Sequence, residues 1–194
     1  NCSVIVTDNA SNQGTLPVQF IIDTTAPTLN EVTAVSTPTD NNTPSYTFRS
    51  SEAGTITYGG ACGSSTSSSA SSGDNTVTLT RSDNSTPFSD GTYSDCTIVV
   101  TDPAGNVSDA LDVTSFTVSV PPYLTQVTAV PTPTSDNTPD YTFSSTEAGT
   151  ITYGGACGSS SSSAATSGDN TVTLTQPDNS TPLDDGTYDN CTVA

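Results

Sequence analysis

Apolar side chains recur two residues apart along most of this chain: Tyr46 and Phe48, Ile56 and Tyr58, Val77 and Leu79, then Cys96, Ile98 and Val100, and last Phe116, Val118 and Val120. Successive side chains of extended backbone point to opposite sides, so this alternation buries one face of a strand and leaves the other in water. It predicts strands over residues 29–35, 45–50, 55–59, 76–80 and 97–101, and a final one ending near 120. In the first of these, Val32 with Ala34 and Leu29 with Val35 compete for the inner face. The connecting segments are rich in Thr, Pro, Asn, Asp and Gly, the residues of turns, and no segment shows a helical 3.6 period. One connection, GSSTSSSASSGDN over 63–75, is of low complexity and reads as a flexible loop or a short edge strand.

The pattern occurs twice. Residues 46–63 read YTFRSSEAGTITYGGACG and 141–158 read YTFSSTEAGTITYGGACG, an offset of 95, while DNTVTLT at Asp74 returns at Asp169 and DGTY at Asp90 returns at Asp185. That period is longer than a solenoid repeat and matches one small domain. NCSVIVTD at the start resembles DCTIVVTD at Asp95, so residues 1–22 read as the last strands of one unit, 23–120 as a complete unit and 121–194 as a unit without its last strands. Val18, Phe20 and Ile22 are then expected to correspond to Phe116, Val118 and Val120. Such ends suggest either a window in a longer array or subunits that complete one another.

Composition narrows the function. The chain of 194 residues has a formal charge of -18, with Arg49 and Arg81 its only cations and no Lys, His, Met or Trp. Phosphate recognition needs Lys and Arg, which argues against nucleic acid as a partner, and no run of eighteen apolar residues suggests membrane insertion. Without His or Lys the usual base for a Ser or Cys nucleophile is missing, so no enzyme is expected. The adjacent Asp184 and Asp185 read as an exposed acidic turn.

Five cysteines stand at 2, 62, 96, 157 and 191. The separations 62 to 96 and 157 to 191 are both 34, so one disulfide inside each unit is the natural pairing, with Cys2 left unpaired within the chain. There is no CxxC and no His to favour metal binding by thiols, and disulfides imply an oxidising, extracellular or cell-surface setting. Tyr93 and Cys96 lie three apart and cannot both face inward on a regular strand, which predicts a β-bulge at Ser94 or Asp95.

Seven short strands in each full unit, with turn signals throughout, indicate an antiparallel β-sandwich. Asp90-Gly91-Thr92-Tyr93-Ser94-Asp95-Cys96 resembles the tyrosine corner of immunoglobulin-like domains. Together with DTTAPTL at Asp23, SSEAGTITYGG at Ser50 and VTDPAGNVS at Val100, it makes the whole chain similar to the bacterial immunoglobulin-like tandem repeats of large surface adhesins and biofilm-associated proteins. The resemblance implies an all-β fold of tandem immunoglobulin-like antiparallel β-sandwiches, working as a structural segment of an extracellular filament or adhesin stalk. Its partners would be copies of itself in a homopolymer, joined by donor strands, or further repeats of the same chain. A glycan- or protein-binding module around Tyr58, Gly59, Gly60 and the Ser-rich loop is the alternative. The resemblance also implies calcium at a domain junction, where Asp23, Glu52, Asp102 and Asn106 would converge. The second junction departs from the pattern, because Val118-Ser119-Val120-Pro121-Pro122 replaces Asp23-Thr24-Thr25-Ala26-Pro27 and weakens the same expectation for Glu147. Sequons begin at Asn1, Asn9, Asn41, Asn84, Asn106, Asn179 and Asn190, and Ser, Thr and Asn are so common that most of these matches arise by composition.

Overall fold

The computed structural model describes residues 2–161 and 163–194, and it is all-β, with no helix among them. The chain divides into two compact units, residues 1–120 and 121–194. The first contains β1 (Cys2–Thr7), β2 (Gln13–Val18), β3 (Leu29–Thr33), β4 (Ser45–Ser50), β5 (Gly54–Gly59), β6 (Cys62–Ser64), β7 (Ser69–Ala70), β8 (Gly73–Arg81), β9 (Gly91–Tyr93), β10 (Thr97–Thr101), β11 (Leu111–Asp112) and β12 (Phe116–Val118). Two antiparallel four-stranded sheets, β3-β4-β8-β6 and β11-β10-β5-β7, are accompanied by the pairs β9-β12 and β1-β2. One core joins the sheets: Tyr46, Phe48, Val77 and Leu79 come from the first, Ile56, Ile98 and Val100 from the second, and all are buried. This arrangement is compatible with a β-sandwich.

Three local features decide which side chains reach that core. In β3, Glu31 pairs with Phe48 and Thr33 with Thr47, so Val32 is the extra residue of a β-bulge and is 49% exposed. The bulge resolves the competition for the inner face, leaving Leu29 packed on the core and Val35 buried. The expected bulge between Tyr93 and Cys96 takes another form. Tyr93 pairs with Phe116 and Thr97 with Asp112, so the same number of residues separates the pairs on each strand and neither strand has an extra one. Both strands break together at 94–96 and 113–115, and this shared break lets Cys96, Val113 and Phe116 all be buried while Tyr93 packs on the core. Backbone within the break finds other partners: Val113 N–H donates to the Cys96 carbonyl at 2.9 Å and Thr114 N–H to Glu31 Oε2 at 3.0 Å.

The Ser-rich connection is ordered by its hydroxyls. Ser64 Oγ donates to the Thr78 carbonyl at 2.8 Å beside the Ser65 N–H at 3.3 Å, and Thr78 N–H donates to Thr66 Oγ1 at 3.0 Å, so hydroxyls join the backbone in extending the β8 ladder past β6. Residues 65–68 thereby carry the chain from β6, paired with β8, to β7, paired with β5.

The second unit contains β13 (Leu124–Thr128), β14 (Asp140–Ser145), β15 (Gly149–Thr150), β16 (Tyr153–Gly154), β17 (Gly158–Ser159), β18 (Ala164–Ala165), β19 (Gly168–Thr175) and β20 (Thr192–Val193). It repeats the first unit closely, with sheet β13-β14-β19-β17, a bulge between Gln126 and Thr128, and Ser159 Oγ donating to the Thr173 carbonyl at 2.7 Å. Its core is smaller, built on Phe143, Ile151, Val172 and Leu174.

Candidate functional site

Each unit has one disulfide, Cys62–Cys96 and Cys157–Cys191, both across 34 residues, and Cys2 is free and exposed. Cys62 opens β6 just after the Gly59–Gly60 turn, and Cys96 sits in the shared break before β10, so the bridge ties the β8 sheet to the β10 sheet. Asp95 steadies the same place by accepting from Ala61 N–H at 3.3 Å. Tyr93 Oη donates to the Ser89 carbonyl at 2.9 Å, and Tyr188 Oη donates to the Asp184 carbonyl at 3.0 Å, in each case four residues upstream. This is the bond a tyrosine corner makes.

The acidic group lies in the first unit. Asp23, on the approach to β3, Glu52, in the β4–β5 corner, and Asp102, after β10, each place one carboxylate oxygen within 4.8 Å of the others. Oxygens that close can share one coordination shell, since calcium–oxygen distances of about 2.4 Å allow opposite ligands to be about 4.8 Å apart. No cation neutralises the group among the described residues: Arg49 is committed to Asp74 at 2.7 Å, and Arg81 bonds Ser89. Asp102 is buried, Glu52 half-buried and Asp23 exposed, an arrangement open to solvent on one side.

Asn106 sits beside this group as a donor. Its backbone N–H reaches Asp102 Oδ1 at 2.8 Å, and its amide Nδ2 reaches Asp102 Oδ2 at 2.8 Å and the Asp23 carbonyl at 3.2 Å. The side-chain bond from Asn106 holds the Asp102 carboxyl below its ordinary range, helped by the backbone N–H groups of the turn and opposed by burial. So Asn106 fixes Asp102 and turns N–H groups, rather than its oxygen, toward the acids. The same clamp closes the β1–β2 hairpin, where Asn12 bonds both oxygens of Asp8 at 2.8 and 2.9 Å. That hairpin shows that an Asp-x-x-x-Asn turn is sufficient by itself as a structural device. What distinguishes Asp102 is the arrival of Asp23 and Glu52. Glu147, which repeats Glu52, belongs to no such acidic group among the described residues.

A cleft of about 480 Å³ opens beside the first disulfide, lined by Ile56, Tyr58, Cys62, Ser64, Ser67 and Asn84 among others. Its counterpart in the second unit, about 580 Å³, is lined by Ile151, Tyr153, Cys157, Ser159, Ser163 and Asn179 among others. Much of the polar lining is already engaged: Tyr58 Oη donates to the Ser67 carbonyl at 2.9 Å, and Asn84 Oδ1 accepts from Ser64 N–H at 3.1 Å, as Asn179 Oδ1 does from Ser159 N–H at 3.1 Å. Asn84 and Asn179 reach those positions with φ of 62° and 61°, a conformation asparagine tolerates better than most residues. Gly63 must be glycine here, because a Cβ would run into Asn84 Oδ1 and come within 2.6 Å of the Arg81 carbonyl. Among the described residues these walls offer hydroxyls and amides, groups that form hydrogen bonds. Position alone could not have shown that Asn84 and Asn179 are built into the fold; the signal was their recurrence at the repeat offset.

No family model, curated protein or solved structure matches this chain.

Proposed function

We propose that the chain is a non-catalytic structural segment of an extracellular filament or adhesin stalk, built from immunoglobulin-like β-sandwich units placed in tandem. The observation that carries this is what the repeat preserves. The disulfide, the tyrosine Oη bond to the carbonyl four residues upstream, the Asn84/Asn179 brace and the Ser64/Ser159 hydroxyl bond all recur. Every one of these supports the fold internally. The acidic group, by contrast, occurs in one unit only among the described residues, and so does the Arg49–Asp74 ion pair, whose arginine is replaced by Ser144 in the copy. Selection for interchangeable beads produces this distribution, whereas a catalytic or ligand-specific domain would preserve a chemical site. The strand order β3-β4-β8-β6 against β11-β10-β5-β7 and the tyrosine-corner bond support the immunoglobulin-like reading. Two disulfides favour an extracellular location.

Calcium fits the first unit as a stiffening ion. Asp23, Glu52 and Asp102 would hold it, with Asn106 orienting Asp102, and the ion would offset the repulsion of three converging carboxylates. Immunogold labelling with antibody raised to the 194-residue chain, imaged on the producing cells, tests the structural reading. Label spaced along filaments or stalks is expected, and label confined to a soluble secreted fraction sinks it. The binding-module alternative has one observation in its favour, the matching clefts beside both disulfides. A glycan array decides that point: selective binding that Tyr58→Ala together with Tyr153→Ala removes would favour a binding module.

A further inference from the structure

Resting on the reading of this chain as a structural repeat, we propose that the first unit is a load-bearing module: a clamp between its entering and leaving segments takes tension along the chain in shear, and the Cys62–Cys96 bridge keeps residues 63–95 from extending once the clamp opens.

The register of the strands places the two segments. The chain enters at the β4–β5 corner, where Leu29 lies opposite Ser50 and Ser50 opposite Gly73. That entry is fastened: Pro27 is fully buried, Thr28 N–H donates to Ser51 Oγ at 2.9 Å, and Ser51 N–H donates to the Thr28 carbonyl at 3.0 Å. β8 runs from Gly73 at this end to Arg81 at the other, so β9 starts from the far end and the antiparallel β12 returns to it, with Val118 opposite Gly91. Val120 N–H then donates to Asp90 Oδ1 at 2.9 Å, which fastens the exit. Entry and exit thus lie at opposite ends of the unit.

Every strand ladder among the described residues is antiparallel, and the one parallel pairing joins these two segments, at Thr39 and Val118. Thr39 N–H donates to the Thr117 carbonyl at 2.9 Å, Ser119 N–H donates to the Thr39 carbonyl at 2.8 Å, and Thr117 N–H donates to Thr37 Oγ1 at 3.0 Å. In a parallel pair the start of one segment and the end of the other face opposite ways, so pull along the chain slides the segments past each other and loads these bonds together. Had the segments been antiparallel, the same pull would peel the bonds apart singly. Both cysteines of the bridge fall between Thr39 and Thr117 in sequence, so the bridged loop carries no load until the clamp gives way. Forced unfolding follows the barrier to opening rather than equilibrium stability, which allows the clamp to be tested apart from the fold.

Single-molecule pulling on the full chain, in a Cys2→Ser background, makes the test. Handles at Ile22→Cys and Tyr123→Cys, both exposed positions, load the first unit from entry to exit. Handles at Ile22→Cys and Ala53→Cys, the latter exposed in the β4–β5 corner, pull on the entry end alone and peel β3 from β4 with the clamp unaltered. Three bonds loaded together against one at a time predict a rupture force about threefold higher in the first geometry. Ser119→Pro, which removes one of the three donors, should lower that force by about a third. Gly63→Ala, which sits behind the bridge, should lower it less despite its cost in urea unfolding. Cys62→Ala with Cys96→Ala should lengthen the event by about 120 Å, the separation of 34 residues at about 3.6 Å each. Equal forces in the two geometries, a Ser119→Pro variant no weaker than Gly63→Ala, or an event of unchanged length without the bridge would each overturn the proposal. The labelling pattern on cells reads the stalk function separately, so a first unit that opens easily leaves the stalk reading standing.

Discussion

Removing the Cys62–Cys96 bridge by Cys62→Ala with Cys96→Ala is expected to destabilise the first unit by a large fraction of its total stability. The bridge spans 34 residues. In the chain-entropy model, closing a loop of that length in the unfolded state is worth about 3.8 kcal/mol at 25 °C. A domain of this size has about 5–15 kcal/mol in all, and the loss corresponds to a fall in Tm of about 15–30 °C. The second unit supplies an internal control, because Cys157–Cys191 spans the same 34 residues and has the same loop term. Packing differs between them: Cys62 and Cys96 are each 2% exposed, whereas Cys191 is half-buried. If loop entropy dominates, both double variants lose about the same free energy; if packing dominates, the first unit loses clearly more. Urea unfolding of each variant, followed by circular dichroism and tyrosine fluorescence, measures both. A loss below about 1 kcal/mol in both units would refute the loop-entropy reasoning.

Other expectations follow from single sites. Calcium should raise the Tm of the first unit beyond the effect of NaCl at equal ionic strength, by about 2.7 kcal/mol of stabilisation at a hundred times its Kd, and Glu52→Gln should remove most of that gain in calorimetry. Gly63→Ala and Gly158→Ala should each cost about 1–3 kcal/mol in urea unfolding, since both glycines face an asparagine brace with no room for a methyl group. Asp83 and Asp178 are held at about 2 against an ordinary 3.8, chiefly by the hydroxyls of Thr86 and Thr181 and then by backbone N–H groups. A lowered folded value means stability present above pH 3.8 and lost as pH falls toward about 2, so Asp83→Asn with Asp178→Asn should flatten the Tm profile across that interval.

The parts of this fold that sequence revealed are those governed by period and spacing. Alternation placed β4 and β10 at their observed bounds, because Tyr46/Phe48 and Ile98/Val100 each bury one face of an uninterrupted strand. What escaped is irregularity that leaves no trace in length. The three-residue spacing of Tyr93 and Cys96 located the irregularity, but the paired break at 94–96 and 113–115 preserves register, so its form, a shared interruption rather than a bulge, could not be read from one strand alone. The Ser-rich run was opaque for a different reason: Ser64 and Ser65 look alike in sequence, yet Ser64 is buried on the Thr78 carbonyl and Ser65 is exposed. The direction of the Asn106 amide depends on where Asp102 and Asp23 meet in space, which no spacing along the chain encodes.

With only 31% of its residues hydrophobic, the chain has limited apolar area to set against the entropy of ordering. Hydroxyl pairs across strands, Thr47 with Thr76, Thr92 with Thr117 and Thr142 with Thr171, all at 2.9 Å, run along its exposed faces. Cross-strand threonines of this kind contribute about 0.2–1 kcal/mol each, far less than a buried aromatic residue. They nevertheless keep the strand surface polar, which matters for a repeated β-unit whose edges would otherwise pair indiscriminately.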